Sequence, residues 1–341
     1  MKNIFKFALL SAIVLTSCTK DEVVNQSANL AISFDTYVAK STKGIPVTGT
    51  SFSEGATMGV YAYNTDNADW TSTNIDSYSS KPLINEKVTK GTAGWTYTNT
   101  AYYVKNQKIS FLAYAPHKEG VQFANGKLEH QVSTLLSEQN DLMVAAPVTN
   151  KTWDGTVGTV PEKIVFAFKH ALSQVKFKAA LKESYTDYTI KVNSVTLKAL
   201  KSTGKLSLTA TDVNWEEVSG SQNYTMSFAD NTLSTAASAL KPSGEGTDVF
   251  MLLPQTLEKV AFTFNITATP TEAGTTAGKV AKTRDFDVIV DGTWASNNIY
   301  LYTATLTMDF DAPAIEFGEP SITEWTTETD TPINNDPKPA E

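Results

Sequence analysis

Apolar and polar residues along this chain alternate with a period of two far more often than they recur at helical spacing. The clearest case lies near the end. Tyr300, Tyr302, Ala304, Leu306, Met308 and Phe310 fall on one face of an extended segment, and Leu301, Thr303, Thr305, Thr307 and Asp309 on the other. A helix would scatter these residues around its circumference; a strand gives one core face and one wet face. The same reading predicts strands over 30–37, 57–63, 109–114, 163–169, 174–179, 189–197, 205–210, 223–228, 248–253, 260–267 and 284–290. Turn-forming runs separate them, among them Asn125-Gly126, Ser202-Thr203-Gly204 and Asp291-Gly292. Two stretches, Val132–Glu138 and Ser234–Leu240, carry weak helical spacing and predict short helices.

Many short strands at near-regular intervals predict an all-β chain of two antiparallel β-sandwich domains in tandem, with few short helices. The chain has 341 residues. That length suits two domains. The polar run Leu181–Asp187 predicts a boundary near residue 184, giving sandwiches over 30–184 and 185–333. Residues 334–341 close an acidic, proline-bearing end and are expected to form a disordered tail.

The N-terminus changes the picture from a plain β protein to an exported one. Lys2 and Lys6 precede the apolar run Phe7–Leu15, and Leu15-Thr16-Ser17-Cys18 puts small residues before the sole cysteine. A basic start, a short apolar core and a small-residue cleavage site make a secretory signal peptide over 1–17. The run is shorter than the roughly 20 apolar residues of a membrane span. Leu-Thr-Ser-Cys resembles the lipobox of bacterial lipoproteins, which makes Cys18 the expected lipidation site and 18–29 a linker. Lys20-Asp21-Glu22 reads equally as a surface-display signal or as a solvated linker start. A single cysteine leaves no intrachain disulfide.

The formal net charge is −8, and Arg284 is the only arginine. That balance argues against nucleic acid as a partner. His117, His130 and His170 form no H-E-x-x-H motif, and neither a nucleophile elbow nor a phosphate loop is present. His170 sits in a strand-like apolar run and is expected to be a structural histidine with a backbone partner. Glu216-Glu217 beside Trp215 is the carboxylate pair that most suggests a glycosidase, though a solvated loop explains it better. The tryptophans are expected mainly in cores or at domain edges, with their indole N–H groups paired. No catalytic residue, metal site or cofactor is expected, and no enzyme activity.

Several segments in order resemble the fimbrillin-like proteins of the type V pilin superfamily. They are Met58–Tyr63, Gly94–Tyr97, Tyr102-Tyr103, Ile109–Pro116, Asn140–Ala145 and Phe168–Val175, with looser matches at Leu252–Gln255 and Trp294–Tyr302. The resemblance implies transthyretin-like sandwiches and a fimbrial subunit at the cell surface. It implies export as an outer-membrane lipoprotein precursor, removal of an N-terminal strand, and assembly by donor-strand exchange with other fimbrial subunits. Leu30, Ile32 and Phe34 would be the pegs of the removable strand, with cleavage between Lys43 and Gly44. The family's usual arginine is absent at that cut. The donor strand would come from Ala314–Ile333, with Ile315, Phe317, Ile322 and Trp325 as candidates. An anchor or tip subunit, a non-polymerising glycan-binding surface lipoprotein and a secreted hydrolase are the competing readings; an adhesive member would also engage a host or bacterial surface ligand.

Overall fold

The computed structural model describes residues 30–38, 52–73, 75–156, 159–229, 231–243, 249–271, 280–307, 314–317 and 321–324. The expected signal peptide (1–17), Cys18, Lys43, Gly44, Trp325 and residues 334–341 lie outside the described residues. The strands of the first part are β1 (Phe34–Val38), β2 (Thr57–Asn64), β3 (Ser80–Gly91), β4 (Gly94–Thr96), β5 (Ile109–Ala115), β6 (Phe123–Ala124), β7 (Lys127–Gln131), β8 (Met143–Ala145), β9 (Val148–Lys151) and β10 (Ile164–His170). The later ones are β11 (Ser173–Leu181), β12 (Tyr188–Leu200), β13 (Thr203–Ser207), β14 (Trp215–Ser219), β15 (Gln222–Ser227), β16 (Ser238–Ala239), β17 (Phe250–Leu252), β18 (Gln255–Pro270), β19 (Lys282–Trp294), β20 (Asn298–Thr307), β21 (Ala314–Phe317) and β22 (Ser321–Glu324).

The fold is all-β, as the periodicity predicts. Among the described residues the helices are two single 3-10 turns, Ile75–Ser77 and Leu136–Glu138. The helix expected over 132–138 is therefore reduced to its last turn, because the Val132 N–H is already bonded to the Ser202 carbonyl across the chain. The helix expected over 234–240 is absent. Its end instead pairs as β16 with β11, and the Leu240 N–H bonds to the Phe177 carbonyl.

Four sheets result. The first runs β1-β10-β8-β5-β2-β3-β4, with β9 beside β5. It curls until β1 and β4 lie side by side. The second runs β16-β11-β20-β21, with β17 beside β11 and β22 beside β20, and the third runs β15-β12-β18-β19. The fourth, β14-β13-β7-β6, joins residues 123–131 to residues 203–219 and so crosses the expected boundary near 184. Pairing is antiparallel except for β1 with β10 and β11 with β20, which are parallel.

Two apolar clusters fill the molecule. The concave face of the first sheet packs Met58, Val60, Phe111, Ala113, Phe166 and Phe168 around Phe34. Its other face puts Tyr61, Tyr63, Leu112 and Tyr114 into a larger cluster shared with the second half. This explains the apolar run Met58–Tyr63 and the run Ile109–Ala115, broken only by the buried Ser110: β2 and β5 are covered on both faces, so neither face needs to be polar. In the second half, sheets two and three sandwich an aromatic centre. Phe177 of β11 meets Phe262 and Phe264 of β18 at 5.9 and 5.8 Å, edge to face, and stacks on Tyr302 of β20 at 5.7 Å. Tyr300, Tyr302, Ala304 and Leu306 are all buried, and the residues between them are only half-buried.

Candidate functional site

The segment before the expected cut is inserted into the first sheet. Among the described strands β1 pairs only with β10, in register from Phe34↔Ile164 to Val38↔Phe168. Alternation sends Ile32, Phe34, Thr36 and Val38 to the concave side. Ile32, Phe34 and Val38 are buried; Leu30 is half-buried. Of the expected set, Ile32 and Phe34 are deeply buried and Leu30 is less so, and Val38 is a further buried apolar residue of the segment. The Phe34 ring packs among Tyr97 (5.3 Å), Phe166 (5.8 Å) and Phe111 (6.1 Å).

Among the described residues, the cross-chain partners of this segment come from beyond the expected cut. Ile32 N–H donates to the Ala101 carbonyl at 2.9 Å, and Tyr103 N–H donates to the Leu30 carbonyl at 3.0 Å. Ile164 N–H donates to Ser33 O at 2.8 Å. The Tyr97 hydroxyl donates to the Ile32 carbonyl at 2.7 Å, and Trp95 Nε1 donates to Thr36 Oγ1 at 3.1 Å. Burial raises the Tyr97 phenol, so it stays a neutral donor. Phe52, on the far side of residues 39–51, touches Phe168 at 5.3 Å and Trp95 at 5.4 Å. It sits at the end of the groove where Val38 pairs with Phe168.

The C-terminal candidate is also an edge element. β21 pairs antiparallel with β20 from Ala304↔Phe317 to Thr307↔Ala314, and β22 does so from Asn298↔Glu324 to Leu301↔Ser321. Both lie on the side of β20 away from β11. Ile322 is exposed. Ile315 and Phe317 are placed in β21. The expected donor strand therefore holds an outermost position on the chain's own second sheet.

The model of the fimbrillin-like family matches residues 46–325. The chain belongs to the fimbrillin-like family. Fimbrium subunit Fim1C of Phocaeicola vulgatus is 26% identical over 190 residues, covering 49% of this chain and 48% of that protein. The match thus spans about half the length of that curated relative. Among solved structures, a fimbrial protein from Bacteroides vulgatus superposes with a TM-score of 0.57 at 18% identity, covering 87% of this chain and 100% of that one. A candidate cell adhesion protein from Bacteroides uniformis gives 0.51 at 17%, covering 87% and 98%. At such identities the likeness establishes the fold.

The other residues singled out in this fimbrillin-like chain are not brought into one site. His170 is fully buried, and its Nδ1 lies 2.9 Å from Asp141 Oδ1. Its burial fits a structural histidine, and the Asp141 carboxylate is one partner of its ring. His117 and His130 line a cavity of about 280 Å³ with Tyr114, Gln139, Leu172 and Met251. Burial pushes both imidazoles down, His130 to about 4 with a smaller push from Lys118. Glu216 and Glu217 lie on strand β14 and not in a loop. Each pairs with its own lysine, Glu216 with Lys127 and Glu217 with Lys205, both at 2.5 Å. Trp95 and Trp294 are buried, and Trp70, Trp153 and Trp215 are half-buried. Trp215 donates to the Ala171 carbonyl at 2.7 Å and Trp294 to the Tyr302 hydroxyl at 3.0 Å. Among the described residues no group of three or more His, Cys, Asp or Glu is placed to hold a metal ion.

Trp95, Tyr97 and Thr36 are the contact residues of this groove that sequence reasoning did not place there. Gly94-Trp95-Thr96-Tyr97 was legible as an ordered family segment; its role at the groove was not.

Proposed function

We propose that this chain is a structural subunit of a bacterial surface fimbria, exported as a lipoprotein through Cys18 and matured by cleavage after Lys43. Removal of residues up to 43 takes β1 out of the first sheet. What remains is a β10 edge with open backbone groups above a slot lined by Phe111, Phe166, Phe168, Trp95 and Tyr97. Open backbone and an apolar slot together favour addition of a strand from another subunit. A head-to-tail contact of this kind does not close on itself and so grows a filament. The C-terminal segment from Ala314, outermost on its own sheet, is the strand we assign to donation. The β-sheets that stay, joined across residue 184 by the pairing of β7 with β13, then serve as the body of each subunit.

The observation that carries this reading is the burial of Ile32, Phe34 and Val38 in a cluster whose other described members all lie beyond the cut. A removable strand must be held by the part that stays. The match to the family begins at residue 46, just past Gly44, which fits a mature unit starting there. The Fim1C relative and the superposed fimbrial protein support a cell-surface fimbrial place and association with other subunits.

The test is the N-terminus of the protein taken from its native cell surface, read by mass spectrometry. A start at Gly44 supports a polymerising subunit. A lipid-modified Cys18 in all of the material overturns it in favour of an anchor subunit or a solitary surface lipoprotein.

A further inference from the structure

Two side chains from the wall opposite β10 reach the inserted strand, and they read different things. The Tyr97 hydroxyl takes the Ile32 carbonyl at 2.7 Å, a backbone group that any strand offers. Trp95 Nε1 takes Thr36 Oγ1 at 3.1 Å, a side-chain atom that only some strands offer. Trp95 is buried, its ring is packed against Phe52 at 5.4 Å, and Lys90 Nζ lies 5.8 Å from its centroid. The indole therefore keeps its orientation whichever strand occupies the slot. A buried N–H left without an acceptor costs more than a formed bond contributes on balance.

We propose that Trp95 is a specificity-determining residue of the groove. It selects a β-strand whose inward residues read apolar, apolar, hydrogen-bond acceptor, apolar, as Ile32, Phe34, Thr36 and Val38 do. This rests on the strand-replacement reading above. The first two pegs alone leave the register loose, because a slip by two that moves Leu30 and Ile32 into the places of Ile32 and Phe34 still fills both slots with apolar groups. The indole N–H breaks that degeneracy. A strand slipped by two along the groove would set an apolar side chain against it and strand the donor. The partner that fits is thus a strand with Ser, Thr, Asn or another short acceptor at the third inward position. In the C-terminal segment, Ile315 and Phe317 match the first two positions in alternation, while the longer acceptor Glu319 and then Ser321 depart from the third and fourth.

The experiment uses the full chain with a protease site placed within residues 39–51. The cut protein is incubated with excess fluorescent peptide spanning residues 30–43, and bound peptide is measured after exchange. Three peptides compete: native, Thr36→Ser and Thr36→Val. The native and serine peptides are expected to bind alike and the valine peptide about tenfold more weakly or worse. In Trp95→Phe protein this difference should vanish. Equal binding of native and valine peptides to the wild-type protein overturns the selectivity while leaving strand replacement standing. If no peptide enters the wild-type protein, strand replacement itself fails and the selectivity falls with it. Should Trp95→Phe not fold, the three-peptide comparison on wild-type protein decides alone.

Discussion

Phe34 stacks on Phe166 with ring centroids 5.8 Å apart and planes 18° from parallel. One ring belongs to the N-terminal strand and the other to the strand it leans on, so the contact joins the two sides of the expected cut. Truncating Phe34 to Ala in the uncut chain should cost about 3–5 kcal/mol, the range for a fully buried phenylalanine. Denaturant unfolding of the uncut protein checks this. A loss under about 1 kcal/mol would mean that the groove collapses easily around a missing peg.

Gly59 of β2 makes room for Tyr114 on β5. A Cβ at residue 59 would run into the Tyr114 ring at Cε1 and would stand 2.7 Å from Asn85 Oδ1. Neither neighbour can give way, because the Tyr114 hydroxyl donates to that same Asn85 oxygen at 2.8 Å. Gly59→Ala should therefore destabilise by about 1–3 kcal/mol through overpacking. Adding Tyr114→Leu should recover part of that loss, and the pair can be compared by thermal unfolding.

How much of this was legible depended on whether the alternation survived. Tyr300 to Leu306 was readable because β20 keeps one buried face without interruption. β3 was missed for the opposite reason. Its buried residues, Leu83 and Val88, stand five apart, because Asn85 takes a positive φ of 47° and the register against β2 slips there. A bulge swaps faces midway, and a period-two search sees noise. β14 was taken for a loop because Trp215-Glu216-Glu217 looks solvent-facing, and only pairing with β13 makes it extended. The pegs at 32 and 34 followed from alternation; Val38 was beyond the expected run, and the Trp95–Thr36 contact is long-range and left no local pattern.

Asp141 is the acceptor beside the buried His170 ring. Asp141→Ala removes that acceptor and should cost about 1–3 kcal/mol. Asp141→Asn keeps a carbonyl oxygen in place and should cost less. Urea midpoints of the two variants give the comparison, and equal losses would refute a hydrogen-bonding role.

His130 links stability to acid. Burial holds its imidazole neutral in the folded protein down to about 4, against 6.5 for an unperturbed ring. Above pH 6.5 neither state is protonated and the group has no effect. Between 6.5 and 4 the unfolded chain takes up a proton that the folded one refuses, so stability falls as pH drops; below 4 the loss is complete. The full loss is at most about 3 kcal/mol, and less because part of the ring remains exposed. His130→Gln should flatten this stretch of a stability-versus-pH curve by that amount.

A chain ending at residue 313 lacks β21 and β22, leaving β20 paired only with β11 on its other side. This truncated chain should fold, with a lower melting temperature, but should not add to growing filaments in vitro. Filament growth at the normal rate would remove the C-terminal segment from the role of donor.

The parallel pairing of β11 with β20 has a mechanical meaning. Its register runs unbroken from Gln174↔Ile299 to Leu181↔Leu306. Tension applied to the chain ahead of residue 173 and behind residue 307 pulls the two strands by opposite ends. Such a pull shears the pair, so all its hydrogen bonds share the force and must fail together. A hairpin pulled from one end instead unzips bond by bond. A body crossed by such a strand pair resists stretching along its length, which is the direction in which a fibre anchored to a cell is loaded by drag.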